Sequence, residues 1–166
     1  MNLNDLKKEL ETVKREHIDL LEGLILRSKQ VIILGNGGSN AIASHISQDY
    51  TKQLKIPSYT FSDPSRLTCY INDYGHEFAY VQFLNEYAEK GTLVILISSS
   101  GESANMYNCA KYCHQTKTKF VTLTGFECNN RIKKDYAAES EISFWVNSRD
   151  YGVVECIHQI ILHAVV

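Results

Sequence analysis

The sequence lacks an excess of charge of either sign. Its 166 residues include 17 Lys and Arg against 19 Asp and Glu, which leaves a formal net charge of -2. Proteins that bind nucleic acid or anionic membranes through their surface usually carry a basic excess. The composition therefore argues against both kinds of partner, and we expect neither nucleic acid nor a membrane to be bound.

Long apolar runs are also missing. No run approaches the roughly 18 apolar residues that a membrane-spanning helix needs. The opening residues, MNLNDLKK, are polar and lack the apolar core of a secretory signal peptide. We therefore expect a cytoplasmic protein.

The number and spacing of the cysteines do not indicate disulfide bonds. The five cysteines form an odd set without a CxxC pair, unlike the framework of a small secreted domain. Cys109 and Cys113 are spaced for one face of a helix, and with His114 they could hold a metal ion. Buried cysteines that only pack are the commoner case, and we favour that interpretation for this pair.

Two nucleotide-binding signatures are absent. The chain contains neither GxGxxG nor GxxxxGK[ST], so a dinucleotide or nucleoside-triphosphate site lacks its expected sequence. It also contains no linker, low-complexity tract or repeat of solenoid length. With 44% hydrophobic and 22% charged residues, we predict one globular domain over residues 1–166.

The sequence does contain two loops that are suited to binding an anion. The apolar run Val31–Leu34 leads into Gly35–Ser39 (GNGGS), ahead of a helical pattern from about Asn40; the run Leu93–Ile97 leads into Ser98–Ser103 (SSSGES), ahead of another. Glycines allow a tight turn, and the N–H groups and dipole at a helix start attract negative charge. Taken singly, each loop is equally well explained by turn formation and helix capping. Two such loops on one sheet indicate a phosphorylated small molecule as ligand.

Apolar spacing predicts helices and strands in alternation. A long amphipathic helix is predicted over residues 5–28. The predicted strands are 31–34, 58–61, 93–97, 119–124 and 142–146, and the predicted helices are 40–54, 64–71, 76–89, 103–115 and one from about 150. This order predicts an α/β fold, a three-layer αβα sandwich around a doubly wound parallel sheet of about five strands, because parallel strands need crossover connections. Such sheets bind ligands beyond the C-terminal ends of their strands, where both loops lie.

Four segments carry a resemblance to a known family. They are Gly35–Ser39, Ile71–Gly75 (INDYG), Ile97–Asn105 (ISSSGESAN) and the C-terminal pair His158 and His163. In this order they resemble the sugar isomerase (SIS) domain, and within it the phosphoheptose isomerases, which interconvert sedoheptulose 7-phosphate and D-glycero-D-manno-heptose 7-phosphate. The resemblance covers nearly the whole chain. It implies a SIS-type fold and an aldose–ketose isomerase that supplies heptose for lipopolysaccharide, capsule or other surface glycans.

The resemblance also implies roles for individual residues. The phosphate would be held by the serine loop, at Ser98, Ser99, Ser100 and Ser103. The sugar chain would contact Asn36, Gly37, Gly38, Asn72 and Asp73, with a further hydroxyl contact from Ser39. The metal and acid–base positions fall on His45, Asp49, Glu155 and His163, with zinc as the usual ion, and Glu155 also counts among the substrate-binding residues. We assign Asp49 as the catalytic base and His163 as the catalytic acid.

These residue types suit the chemistry. Moving a carbonyl between C1 and C2 needs one base and one acid within hydrogen-bond reach of the substrate. His45 and Asp49 are spaced i, i+4 and share one face of the predicted helix. A divalent ion held by His and carboxylate ligands would stabilise the enediolate oxygens. In isolation His45 is better explained as a core residue, Asp49 as a solvated charge and Asn72 as part of a turn, so the assignment rests on their combination.

Three positions depart from the family pattern. Asp49 stands where Glu is usual, which shortens the carboxylate side chain by about 1.5 Å. Glu155 stands where Gln is usual, and the added negative charge predicts a stronger dependence on metal. Gly152 replaces a polar residue and removes one expected substrate contact. Glu155 and His163 also differ by about 12 Å in height along a helix, so one of them serves the substrate unless both side chains are extended.

The resemblance further implies a homotetramer with active sites where subunits meet. Apolar surface for such contacts is offered by the N-terminal helix and by Ile157, Ile160, Ile161 and Val165, although the same residues could simply cover their own sheet. Two alternatives to the isomerase remain. One is a non-catalytic SIS module that binds a sugar phosphate or a protein, as in regulators of bacterial replication initiation. The other is an isomerase for a different ketose phosphate.

Overall fold

The computed structural model describes all residues from Met1 to Val166. The strands are β1 (Gln30–Gly35), β2 (Ser58–Thr60), β3 (Thr92–Ser98), β4 (Lys119–Thr124) and β5 (Ile142–Trp145). The helices are α1 (Leu3–Leu10), α2 (Arg15–Leu26), α3 (Gly38–Asp49), α4 (Pro64–Tyr74), α5 (His76–Tyr87), α6 (Ala104–Thr116), α7 (Arg131–Tyr136) and α8 (Tyr151–His163). None of these helices has both the length and the apolar character that crossing a membrane requires.

The strands form one sheet in the order β2-β1-β3-β4-β5, and every neighbouring pair is parallel. Parallel strands are buried on both faces, which explains the continuous apolar runs of β1 and β3. Gly35 at the end of β1 pairs with Ile97 near the end of β3. The two predicted anion loops are therefore neighbours at the C-terminal edge of the sheet.

Apolar side chains pack on both faces of the sheet. Val31 and Ile33 contribute to a core that includes residues of α2, α3 and α8. Ile32 and Leu34 point the other way, into a core shared with α5 and α6. This alternation follows from the two-residue period of a strand. The predicted three-layer αβα fold with about five parallel strands is confirmed.

The N-terminal region differs from the single helix predicted over residues 5–28. The structure has two helices, α1 and α2, separated by residues 11–14. Thr12 ends α1 by donating its hydroxyl and its backbone N–H to the carbonyl of Glu9, and such side-chain bonds compete with a continuing helix. The break lets α1 pack against α8 and lets the Glu9 carboxylate accept from the N–H of Asn147 at 3.1 Å. The prediction of one long helix was therefore wrong.

The helix predicted over residues 40–54 also changes character within its length. It begins earlier, at Gly38, and the α-helical part ends at Asp49. A π-helical turn, Tyr50–Leu54, follows and ends at Lys55 in the left-handed region. The buried Tyr50 hydroxyl donates to the carbonyl of Leu162 at 3.0 Å, which joins this turn to α8. Single π-helical turns are frequent near functional sites.

Helix α7 has no counterpart in the predicted elements. Asn130 caps it, because its side-chain oxygen accepts from the N–H of Lys133 at 3.0 Å. The remaining predicted strands and helices are present, with ends shifted by no more than about three residues.

Candidate active site

The loop after β1 makes a tight turn into α3. Gly37 has φ 53° and ψ -122°, a conformation that residues with a Cβ avoid. The loop is held in place by Asn36 and Asn105, whose side-chain amides exchange hydrogen bonds of 2.9 and 2.8 Å. Because Gly37 is the N-cap and has no side chain, the first N–H groups of α3 receive no side-chain cap. They remain available to an anion.

The serine loop after β3 closes around Gly101, which has φ 68°. The hydroxyl of Ser98 accepts from the N–H of Gly101, and that of Ser100 accepts from the N–H of Glu102, both at 3.2 Å. The Ser99 hydroxyl is buried and has no hydrogen-bond partner within the protein. An unpaired buried hydroxyl is costly unless a ligand satisfies it.

These loops line a small cavity of about 120 Å³. Its walls are formed by Asn36, Ser39, Ile97, Ser98, Ser99, Ser100, Ser103, Tyr151 and Glu155. The structure thus brings together the four serines predicted to hold phosphate with three further predicted residues, Asn36, Ser39 and Glu155. Hydroxyls, an amide and a helix N-terminus are groups that bind phosphate well.

A second cluster lies farther along α3 and α8. The Asp49 Oδ2 atom is 3.3 Å from His45 Nε2 and 3.7 Å from His163 Nδ1. The two imidazole rings contact each other edge to face, with centroids 5.1 Å apart. Asp49 is the most shielded member, with 14% of its side chain exposed, whereas His45 is 52% exposed. The cluster is therefore open to a ligand on the His45 side.

The donors of this cluster suit a divalent metal ion. One ligand atom from each of His45, Asp49 and His163 falls within 4.8 Å of the others. Two imidazoles and a carboxylate match the ligands of Zn²⁺ sites that keep an open position for substrate or water. Gln159 Nε2 lies 3.5 Å from the outer nitrogen of His163. The three residues thus fit the predicted zinc, by donor type and by spacing.

Glu155 lies outside the His/Asp cluster. Its carboxylate packs beside Gly38, at the first residue of α3: a Cβ added to that glycine would be 2.5 Å from either carboxylate oxygen. Glu155 also lines a second cavity, of about 390 Å³, together with Gly38, Ala41, Ile42, His45, Gly152, Cys156 and Gln159. Glu155 therefore lies apart from the three clustered residues, and its assignments as a metal ligand and as a substrate contact both stay predictions.

Asn72 and Asp73 are not brought to the site of their own chain. Both lie exposed in the last turn of α4 and line neither cavity. The Asn72 amide donates to the Asp73 carboxylate at 2.9 Å. The second Asp73 oxygen accepts from the thiol of Cys69 at 3.5 Å, and this hydrogen bond raises the pKa of the Cys69 thiol.

Other candidates proved to be core residues. Cys109 and Cys113 are fully buried on α6, and burial raises the pKa of both thiols, to about 12 for Cys113. The predicted burial of these cysteines is confirmed. His158 is also fully buried, and its Nε2 lies 3.1 Å from the carbonyl of Thr124. Burial lowers the pKa of His158 to about 4, so this histidine is neutral and structural.

Sequence reasoning missed three residues that shape the site. Asn105 orients Asn36, Tyr151 walls the serine cavity, and Gln159 contacts His163. Asn105 is the last residue of the Ile97–Asn105 segment that carries the family resemblance, which is a signal that could have found it. Tyr151 and Gln159 share a helix with Glu155, but nothing in their spacing shows what α8 faces.

A further cavity lies away from this site. It measures about 600 Å³ and is lined by residues such as Arg27, Lys90 and Lys117. It lies at the N-terminal edge of the sheet, where α2, α5 and α6 end. The basic side chains around this cavity lie near the C-terminal ends of these helices, where the helix dipoles favour positive charge.

Comparisons with known proteins agree with this geometry. The family model described as SIS domain matches residues 2–125. The phosphoheptose isomerase of Fusobacterium nucleatum is 31% identical over 165 residues, which cover 96% of this chain and 80% of that protein. Phosphoheptose isomerase structures from Neisseria gonorrhoeae and Francisella tularensis share the fold, with TM-scores of 0.86 and 0.85 at 24% and 20% identity; each match covers 96% of this chain and 88% of the other. The chain is therefore an enzyme of the phosphoheptose isomerase family, built on a SIS domain.

Proposed function

We propose that this enzyme interconverts sedoheptulose 7-phosphate and D-glycero-D-manno-heptose 7-phosphate. The observation that carries the proposal is the arrangement of two unlike half-sites along α3. An anion site of serines lies beside the start of the helix, and His45 and Asp49 of the His/Asp cluster lie seven and eleven residues after Gly38. A phosphate at one end and an acid–base pair at the other are what an isomerase of a sugar phosphate needs.

The separation of the half-sites favours a long substrate. From Gly38 to Asp49, the proposed base, the helix rises about 16 Å. A seven-carbon chain with a terminal phosphate spans about 10 Å from C1 to phosphorus when extended, for bond lengths of about 1.5 Å. Shorter ketose phosphates reach less far along α3. A substrate held at the serine loop comes nearer to Asp49 the longer its carbon chain is, which favours seven carbons over fewer.

Asp49 and His163 would carry the proton transfers. The Asp49 carboxylate takes the proton from C1 of the ketose and delivers it to C2. His163 gives a proton to the C2 carbonyl oxygen and removes one from the C1 hydroxyl. The distance of 3.7 Å between the two side chains allows both to face the same pair of carbons, which proton transfer requires.

A metal ion would be held by His45, Asp49 and His163, with Glu155 as the fourth ligand if its side chain turns from Gly38. Such an ion, which in this family is usually zinc, would supply positive charge that stabilises the oxygens of the enediolate. Residues of the serine cavity would orient the sugar, because Asn36 and Ser39 line it and would present an amide and a hydroxyl.

The wider context of the enzyme is also part of the proposal. We take residues 1–166 as one domain, because the core under α2 and α3 continues without a break to α8. The homotetramer stays a prediction, as do the cytoplasmic location and the supply of heptose to surface glycans. Asn72 and Asp73 are exposed. If active sites are built where subunits meet, we expect these two residues to contribute to the site of a neighbouring subunit.

The proposal is tested by a panel of ketose phosphates with five, six and seven carbons. Activity is measured as kcat/KM with added zinc and after treatment with EDTA. We expect sedoheptulose 7-phosphate to give the highest value and EDTA to abolish turnover. A shorter substrate with a higher kcat/KM would favour an isomerase of different specificity. Binding of the sugars without turnover of any would favour the non-catalytic module.

A further inference from the structure

Glu155 is the only residue that lines both cavities of the site. On one side it faces the serine loop, and on the other it faces the cavity that leads to His45. A ligand that reaches from the serines to the His/Asp cluster has to pass the Glu155 carboxylate. The present position of this side chain therefore divides the route along which we expect the substrate to lie.

The start of α3 explains why the carboxylate rests there. Gly37 gives this helix no side-chain cap, so the first N–H groups carry an unsatisfied partial positive charge. The Glu155 carboxylate lies against Gly38, close enough that a Cβ there would be 2.5 Å away. A negative side chain at a helix N-terminus is stabilised by the dipole. The same dipole would attract the oxygens of an incoming sugar.

We infer that Glu155 is an internal competitor for the substrate and so a specificity-determining residue of this site. Its carboxylate lies at the start of α3, between the phosphate cavity and the cavity beside His45. A sugar phosphate long enough to span both must displace it, whereas an anion confined to the serine loop need not. This inference rests on the proposed function, which supplies the two ends of the route.

The inference predicts an unequal effect of neutralising Glu155. Glu155→Gln keeps the size of the side chain but removes the charge that the helix start stabilises. Inorganic phosphate should gain only modestly, because it is relieved of a negative charge beside its cavity but leaves the side chain in place. The gain for sedoheptulose 7-phosphate should be about tenfold larger, because removing the charge also weakens the attraction of the helix start for the side chain that the sugar must displace.

The experiment is isothermal titration calorimetry with EDTA-treated protein, so that metal binding does not enter. The ligands are inorganic phosphate and sedoheptulose 7-phosphate. The matched control is Glu16→Gln, the same chemical change in an exposed residue of the first turn of α2. Glu16 lines neither cavity, so its variant reports the loss of one negative charge outside the site.

A larger gain for the sugar phosphate than for phosphate in Glu155→Gln, with wild-type affinities in Glu16→Gln, supports the inference. Equal gains for both ligands, a gain that the control shares, or weaker binding of the sugar overturns it. Turnover of sedoheptulose 7-phosphate by the zinc-loaded wild type is measured in parallel. Absence of turnover refutes the proposed function, and turnover without the unequal gain refutes only the role of Glu155.

Discussion

At the scale of residues, Asp49 is the centre of the candidate site. One of its carboxylate oxygens lies within 3.7 Å of both imidazoles, and the side chain is largely shielded. Both of these contacts are made by the same oxygen, Oδ2. A single carboxylate can thus hold a metal ligand position and act as the base, which makes it the residue whose loss should matter most.

Asp49→Asn should lower kcat/KM by roughly a thousandfold, because a general base contributes 10²–10⁴ to the rate. The amide is also a poorer ligand for zinc, so the zinc content of the purified protein should fall. Both quantities are measured, the second by elemental analysis. Asp19→Asn, which breaks only an exposed pair with Arg15, should leave both unchanged. Wild-type zinc and turnover in Asp49→Asn would remove this residue from the site.

The contact between Gly38 and Glu155 makes a second prediction. Gly38→Ala should lower the free energy of unfolding by about 1 kcal/mol, because the new methyl group meets the carboxylate and displaces it from the helix start. In a Glu155→Ala background the same substitution should cost nothing or stabilise, since Ala favours a helix. A double-mutant cycle by urea unfolding measures this coupling. Equal effects of Gly38→Ala in the two backgrounds would show that the contact is not formed in solution.

Individual residues show where sequence reasoning stops. The i, i+4 spacing of His45 and Asp49 predicted a shared face, and the structure confirms that they meet. The resemblance supplied His163, which lies in the same cluster. Nothing in the sequence gives the distance between α3 and α8, so the position of Glu155 beside Gly38 could not be predicted. The exposure of Asn72 and Asp73 could not be predicted either, because it depends on how α4 packs against the rest of the domain.

At the scale of elements, the π-helical turn after α3 supports the His/Asp cluster. It directly follows Asp49, and its first residue, Tyr50, reaches across to α8 at Leu162, next to His163. The Tyr50 side chain is fully buried, and burial raises the pKa of its hydroxyl far above the ordinary value. The neutral hydroxyl therefore links the two helices that carry the cluster.

Tyr50→Phe removes this link without changing the shape of the core. The free energy of unfolding should fall by about 1 kcal/mol, the usual contribution of one hydrogen bond. Zinc affinity should fall as well, because His163 is no longer held at its distance from Asp49. Urea unfolding and zinc titration give the two values. The control is Tyr80→Phe, which removes a different buried hydroxyl, one that donates to the carbonyl of Gly35 at 3.3 Å. An equal loss of zinc affinity in both variants would refute the link between Tyr50 and the cluster.

The elements also show which structural signals are readable from sequence. Long apolar runs placed β1, β3 and β4 within one residue of their observed ends. The break between α1 and α2 was missed, because helical apolar spacing continues across it and the bond between Thr12 and Glu9 that ends α1 has no periodic signature. Helix α7 was missed because it is short and lies in a polar segment capped by Asn130.

At the scale of the whole molecule, stability is tied to a histidine outside the site. His158 lies fully buried between α8 and the end of β4, and burial lowers its pKa to about 4. The unfolded chain, with an ordinary histidine pKa of about 6.5, binds a proton in the range where the folded chain does not. Acid therefore favours unfolding through this residue.

The free energy of unfolding should be highest above pH 6.5 and fall as the pH drops toward 4. For His158 alone the loss between pH 7 and pH 5 is about 2 kcal/mol. Urea unfolding at the two pH values measures it. His158→Gln should remove most of this pH dependence, whereas His114→Gln, in a partly exposed residue paired with Glu139, should retain it. An unchanged pH dependence in His158→Gln would show that other groups control acid unfolding.

The central claim, that this enzyme moves a proton between C1 and C2 of sedoheptulose 7-phosphate, is tested most directly by proton NMR in heavy water. Zinc-loaded enzyme and the sugar phosphate are incubated, and deuterium is followed at C1 of the ketose and C2 of the product. The account predicts heptose 7-phosphate with deuterium at C2 for the wild type and neither product nor exchange for Asp49→Asn. Bound substrate without deuterium incorporation or product in the wild type would contradict it.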